Sequence, residues 1–326
     1  MKPKQLKSKV SSTEEISATD TNQFPIVGIG ASAGGLDALE LFLGNVPKNS
    51  GMAYVVIQHL DPTKKGMLPE LLQRISNMEV YLADDNMPVK PNCVYVIPPN
   101  KSMSILKGML YLFEPIEARG LRLPIDFFFR SLADDLKEHS VGLILSGMGS
   151  DGSIGIRAIK EKGGIVIVQE PATAKFDSMP RNAIDSVLVD IVAPVNELPA
   201  KLIEFLKHIP IANAHKEVEI VDKGSLEKII ILLRVHTGND FSLYKKNTVY
   251  RRIERRMAIH KIDKIALYVR FLQENPNEVE ILFKELLIGV TNFFRDAVVW
   301  DKLKEQVIPA LFSTQKEGSV LRALPE

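Results

Sequence analysis

Only one cysteine, Cys93, occurs in 326 residues. A lone thiol cannot close an intramolecular disulfide or build a thiolate-ligated zinc site. Cys93 opens the strand-like run Cys93-Val94-Tyr95-Val96-Ile97, where it reads as a small buried hydrophobe. No metal is expected, and the chain suits a reducing cytoplasm. Long hydrophobic runs are also lacking. No stretch approaches the ~18 apolar residues of a membrane span. The opening MKPKQLKSKVSSTEEISATDTNQ carries positive charge with no apolar segment behind it, so an unexported cytoplasmic protein without direct membrane insertion is expected. A charge excess of one sign is lacking too: 41 Lys+Arg stand against 40 Asp+Glu, a formal charge of +1. Whole-chain electrostatics therefore indicate neither a nucleic-acid coat nor a membrane-surface binder, and charged recognition must be local. What is present is ordinary globular material, 45% hydrophobic and 25% charged, in a length that predicts two domains of roughly 150 residues each.

Residues 1–23 are rich in Lys, Ser, Thr and Glu and cannot offset the entropy of ordering, so a disordered tail is expected there. From Phe24 onward, short β-branched runs (PIVGIG, AYVVIQH, CVYVIPP, VGLILSG, GIVIVQE, VLVDIV) alternate with longer amphipathic segments. That alternation predicts an α/β fold: a doubly wound, mostly parallel sheet with helices on both faces. Ser104 to Phe113, with its Lys107-Gly108 turn, reads as an inserted hairpin. Leu198 to His208 has helical spacing and ends before Pro210. Aperiodic residues 209–224 read as a linker after a first domain over 24–208. Four successive helical patterns then predict a small all-helical domain over 225–297.

Three motifs each follow a strand in the first domain. Gly28-Ile29-Gly30-Ala31-Ser32 permits a tight strand-to-helix turn with Ser32 near the start of a helix. Gln58-His59 ends AYVVI, and Gly147-Met148-Gly149-Ser150-Asp151-Gly152 follows VGLIL. In a doubly wound sheet these loops share the carboxyl edge, where such folds bind ligands. Ser32, His59 and Asp151 can therefore meet as nucleophile, general base and orienting carboxylate. Each piece has another reading. Gly28-x-Gly30 also fits a phosphate or dinucleotide loop, although no acidic residue stands directly at the end of AYVVI to hold a ribose. His59 fits a structural histidine. Asp151 fits an N-cap for the helix from Ser153.

The strings VGIGASAGGLDAL, VVIQHLDP, VGLILSGMGSDGSIGI and MPRNAI, in that order between about Phe24 and Asp190, resemble the catalytic domain of chemotaxis protein-glutamate methylesterases, the CheB family. The resemblance implies that Ser32 is the nucleophile, His59 the base and Asp151 the third member of the triad. It also implies that the main chain at Met148 lies beside the oxyanion and that the esterase needs no cofactor. Its substrates would be glutamate γ-methyl esters on methyl-accepting chemotaxis receptors. Many members have threonine where this chain has Ala33. Members often carry a receiver domain before the esterase, which 23 polar residues cannot form; an esterase that is constitutive or controlled by a partner is therefore expected.

Residues 227–270 hold eleven Lys/Arg and four Asp/Glu. Tyr250, Ile253 and Met257 form an apolar stripe, which leaves Arg251, Arg252, Arg255 and Arg256 toward solvent. A solvated face and nucleic-acid binding are both open on composition alone. This stretch and ELLIGVTNFFRD resemble the N-terminal helical domain of chemotaxis receptor methyltransferases, the CheR family. The resemblance implies that the four arginines dock on acidic receptor helices, with no nucleic acid involved. It also matches Thr291 and Arg295 to S-adenosylmethionine contacts, with Gly289 replacing the usual asparagine. Residues 298–326 stop where a cofactor domain would start, so an incomplete S-adenosylmethionine site without methyltransferase activity is expected. Two rivals to the esterase are a non-catalytic receptor-docking adaptor and a nucleotide-binding oxidoreductase.

Overall fold

The computed structural model describes residues 24–58, 67–115, 122–208, 223–287 and 302–309. Its frame is a seven-stranded parallel sheet formed by β1 (Ile26–Ala31), β2 (Ala53–Gln58), β3 (Glu79–Leu82), β5 (Cys93–Val96), β8 (Ser140–Ile144), β9 (Ile165–Gln169) and β10 (Ile191–Ala193). The spatial order is β10-β9-β8-β1-β2-β5-β3. β1 is central: Ala31 pairs with Gln58 of β2, and Gly30 pairs with Ile144 of β8. The three strand ends that carry the motifs are therefore neighbours at one edge.

The strands are apolar on both sides because both sides are covered. Val27, Ile29, Tyr54 and Val56 pack with Leu39, Phe42 and Leu43 of α1 (Gly35–Gly44), Leu72 of α2 (Met67–Ile75) and Leu202 and Phe205 of α6 (Leu198–His208). Ala53, Val55 and Ile57 face the other way, onto Phe128, Phe129 and Leu132 of α3 (Pro124–Leu136), Ile156 and Ile159 of α4 (Ser153–Glu161) and Met179 of α5 (Ser178–Ser186). Each fully buried side chain of this size contributes about 1.5–3 kcal/mol.

Gly28 and Gly30 lie inside β1, not in a turn. A Cβ on Gly30 would meet Ile125 Cγ2 at 2.6 Å, and one on Gly28 would meet Phe129 Cε1 at 2.8 Å. They are glycines so that α3 can lie directly on the sheet, which removes the phosphate-loop reading of this pair. The expected hairpin is present as β6 (Ser102–Leu106) and β7 (Met109–Phe113), with Lys107 and Gly108 both at positive φ. It joins the short β4 (Met87–Pro88) in a three-stranded antiparallel sheet.

The helical region comprises α7 (Lys223–Thr237), α8 (Lys246–Ile259), α9 (Ile265–Glu274) and α10 (Pro276–Leu287), packed on their own apolar core, which includes Ile229, Leu233, Ile253, Tyr268 and Leu282. The tail at 1–23, nearly all of the expected linker and most of residues 298–326 lie outside the described residues.

Candidate active site

Ser32 directly follows β1. Its N–H donates to the carbonyl of Ser146 at 3.1 Å, which ties the end of β1 to the end of β8. Its own carbonyl accepts from Gly35 N–H at 2.9 Å, closing a turn through Gly34, whose φ is +68°. The half-exposed side chain stands at the foot of α1, where the helix's positive end lies. The chain leaving β8 passes hard against it. A Cβ on Gly147 would fall on Met179 Sδ and lie 3.1 Å from Ser32 Cβ, so only glycine fits there.

Met148 is held from both sides. Gly147 N–H donates to the Phe176 carbonyl at 3.0 Å, and Gly149 N–H donates to Ser178 Oγ at 3.0 Å. Asn182 Nδ2 donates to the Gly149 carbonyl at 2.8 Å. The Met148 side chain is 61% exposed, so what the loop fixes at this position is the main chain. Ser146 adds a brace that motif spacing did not disclose. Its hydroxyl donates to the Ala33 carbonyl at 3.0 Å and accepts from Phe176 N–H at 3.0 Å, while its N–H donates to Gln169 Oε1 at 2.9 Å.

Asp151 is 4% exposed. Its Oδ2 accepts from Ile125 N–H at 3.1 Å and its Oδ1 from Asp126 N–H at 2.9 Å. Those are the first two amides that α3 has to offer, because Pro124 occupies its opening position. The cap reading of Asp151 thus holds for a helix other than the one expected. The cap position of α4 is Gly152, which makes no side-chain cap bond. Asp126 was not legible as a site residue. It is 3% exposed, and its Oδ1 accepts from Gly155 N–H at 2.6 Å. Burial, reinforced by the nearby charge of Asp151, pushes its carboxyl above the ordinary range against the opposing Gly155 hydrogen bond. The only available signal was an acidic residue in the first turn after a proline.

His59 lies outside the described residues; it is the residue after Gln58, whose Nε2 donates to the Ser32 carbonyl at 3.5 Å. Among the described residues, no group of three or more His, Cys, Asp or Glu could hold a metal ion.

A family model described as CheB methylesterase matches residues 27–202, more than half of the chain. The chain belongs to the CheB methylesterase family. A second model, described as CheR methyltransferase, all-alpha domain, matches residues 224–287. A protein-glutamate methylesterase/protein-glutamine glutaminase of Thermotoga maritima is 33% identical over 185 residues, covering 56% of this chain and 54% of that protein. The crystal structure of the Thermotoga maritima CheB methylesterase catalytic domain is similar with a TM-score of 0.52 at 33% identity, over 56% of this chain and 98% of that one. A 104.1 kDa protein from the hypE 3' region of Rhodobacter capsulatus is 33% identical over 277 residues. That match covers 78% of this chain but 29% of the relative's length. The chain thus spans about half, or less, of the length of these two relatives.

Beyond the CheB domain, the arginines of α8 are not where the sequence put them. The expectation that Arg251, Arg252, Arg255 and Arg256 face solvent is overturned for the last three. Arg255 and Arg256 are each 6% exposed. Arg255 makes a two-pronged pair with Asp190 and also donates to the carbonyls of Gly163 at 3.0 Å and Gly164 at 2.6 Å. Arg256 grips both carboxylate oxygens of Glu278 at 2.7 Å. Arg252, with its side chain 13% exposed, pairs with Glu285 at 3.2 Å, and only Arg251 is half-exposed, 3.6 Å from Glu138. The physical reason is that these carboxylates come from other elements and guanidinium forks match them closely. Three of the eleven basic residues of 227–270 are thus consumed in buried pairs with carboxylates outside that stretch. Thr291 and Arg295, together with Gly289, lie outside the described residues.

Proposed function

We propose that this chain hydrolyses glutamate γ-methyl esters on the cytoplasmic helices of methyl-accepting chemotaxis receptors, with Ser32, His59 and Asp151 as its triad. The observation that carries the reading is the hydrogen bond from Ser32 N–H to the Ser146 carbonyl at 3.1 Å, which sets Ser32 against the chain leaving β8 at the edge that also holds Asp151. Ser32 Oγ attacks the ester carbonyl as His59 takes its proton, and the Met148 main-chain N–H stabilises the oxyanion, since the N–H groups of Gly147 and Gly149 on either side already donate within the protein. His59 returns the proton to methoxide, which is too basic to leave unaided. A water then repeats the sequence on the acyl-serine and frees the glutamate. Asp151 stays ionised, holds the imidazole tautomer and stabilises the imidazolium. No step calls for a cofactor.

The same acyl chemistry extends to a glutamine γ-amide, with ammonia leaving. The glutaminase half of the Thermotoga relative's name supports that extension. In this reading residues 24–208 carry the reaction in the cytoplasm and residues 225–297 form an accessory helical module. Thr291 and Arg295 stay assigned, by resemblance alone, to an S-adenosylmethionine contact that takes no part in hydrolysis.

The test is methanol release from receptor membranes methylated with a labelled methyl group. Wild type should release label and Ser32→Ala should not. Equal release by both would remove Ser32 from the chemistry.

A further inference from the structure

Asp126 has no part in the hydrolysis scheme, yet it is a carboxylate buried at 3% exposure beside the carboxylate that does. Its surroundings explain how it is tolerated. Counting from the cap at Leu123, Asp126 is the third residue of α3; counting from the cap at Gly152, Gly155 is the third residue of α4. Neither Leu123 nor Gly152 makes a side-chain cap bond. The two helices instead exchange caps. Asp151, on the turn entering α4, takes the amides of Ile125 and Asp126 at 3.1 and 2.9 Å, while Asp126 of α3 takes the amide of Gly155 at 2.6 Å. Each first turn is closed by the other helix's carboxylate, so neither side chain can rotate without opening a helix end.

We propose that Asp126 is a positioning residue of the esterase, fixing Asp151 through this exchanged cap and standing behind it as a second negative charge. The proposal rests on the reading of Asp151 as the triad carboxylate. Capping alone does not require the charge. An asparagine or serine oxygen would accept from Gly155 equally well and would avoid placing two carboxylates together in the interior. What only a carboxylate supplies is potential: a second negative charge beside Asp151 favours the imidazolium that forms when Ser32 attacks. The charged groups acting on Asp126 are Asp151, on the turn before α4, and Arg130, one turn further along α3. Arg130 opposes the effect of burial on Asp126.

The experiment uses the full chain and a small soluble peptide bearing a glutamate γ-methyl ester. It compares wild type, Asp126→Asn, Asp126→Ser and Ser32→Ala for kcat, KM, the pH profile of kcat from about pH 5 to 9 and thermal unfolding. Asp126→Asn should keep KM and lose kcat by about tenfold, the equivalent of roughly one unit of imidazolium stabilisation. The acid limb of its profile should move to lower pH, because a base with less negative surroundings protonates later as pH falls. Should the asparagine variant fail to fold, Asp126→Ser must show the same loss and the same displacement. A neutral variant with wild-type kcat and an unmoved acid limb would overturn the positioning role while leaving the triad intact. Undiminished hydrolysis by Ser32→Ala would overturn the triad and this proposal together.

Discussion

Asp151 offers two acceptor oxygens to two amides, and this makes its amide isostere an unusually sharp probe. In Asp151→Asn one of those oxygens becomes an NH2 group that must face Ile125 or Asp126 N–H, donor against donor. The variant should lose about 1–3 kcal/mol of stability. By analogy with serine proteases it should also lose up to about 10⁴ in turnover. Denaturant titration and methanol release, measured where the variant is still folded, separate the two losses. Near-wild-type release would leave Asp151 as a cap alone. Ser32 and Asp151 were legible as candidates because each follows a continuous apolar run by a few residues, the pattern of a strand covered on both faces. Asp126 and Ser146 could not. Their importance lies in hydrogen bonds to residues 29 and 113 positions away, which no local pattern encodes.

At the level of elements, α3 is the part on which the site leans. Its opening amides hold Asp151, its Phe128 and Phe129 fill the core beneath the sheet, and its Asp135 accepts from the hairpin amides of Lys107 and Gly108 at 2.6 and 3.0 Å. Gly30→Ala would drive a methyl into Ile125 at the start of this helix. The expected cost is about 1–3 kcal/mol of overpacking, with kcat falling further than stability because the displaced turn carries the carboxylate anchor. Calorimetry beside steady-state kinetics checks this; a normal kcat in a destabilised variant would uncouple α3 from the site. Strong periodicity made β1, β2, β8, α6 and the four helices α7 to α10 readable. β3 was not, since a four-residue edge strand with no fully buried residue carries little pattern. The glycines of β1 misled for a different reason: Gly-x-Gly marks close backbone approach, and sequence does not say whether a phosphate or a helix does the approaching.

Across the whole molecule, the joint between the two modules is ionic and buried. Lys160 Nζ lies 2.8 Å from Asp190 and 3.0 Å from Glu285, and Arg252 and Arg255 complete a cluster of three cations around two carboxylates. Gly163, Gly164 and Asp190 precede β9 and β10, so α8 docks at the amino edge of the sheet, opposite the edge that carries Ser32. Of the four arginines that the CheR resemblance assigned to receptor docking, Arg252, Arg255 and Arg256 are engaged inside the molecule, with carboxylate partners on α10 and at the entry to β10. Burial raises the Asp190 carboxyl, but Arg255 and Lys160 outweigh it and hold it below the ordinary range. Burial and the charge of Arg255 lower Lys160. A depressed carboxyl contributes stability that is present above its unfolded value, here 3.8, and lost as pH falls through the folded one. Wild type should thus lose stability below about pH 4, and Asp190→Asn should flatten that limb. Arg255→Met should cost about 3–5 kcal/mol at neutral pH and split one unfolding transition into two. A single, unshifted transition in denaturant would mean that the modules are not coupled through this cluster.

The most direct test of the esterase account is capture of the acyl-enzyme. The purified chain is mixed with a glutamate γ-methyl ester peptide, quenched in acid within one turnover, digested and weighed by mass spectrometry. The account predicts that the peptide containing Ser32 gains the mass of the substrate less methanol, and that the adduct is absent from Ser32→Ala and persists longer in Asp151→Asn. Methanol release without any adduct on Ser32, at a rate unchanged in Ser32→Ala, would contradict it.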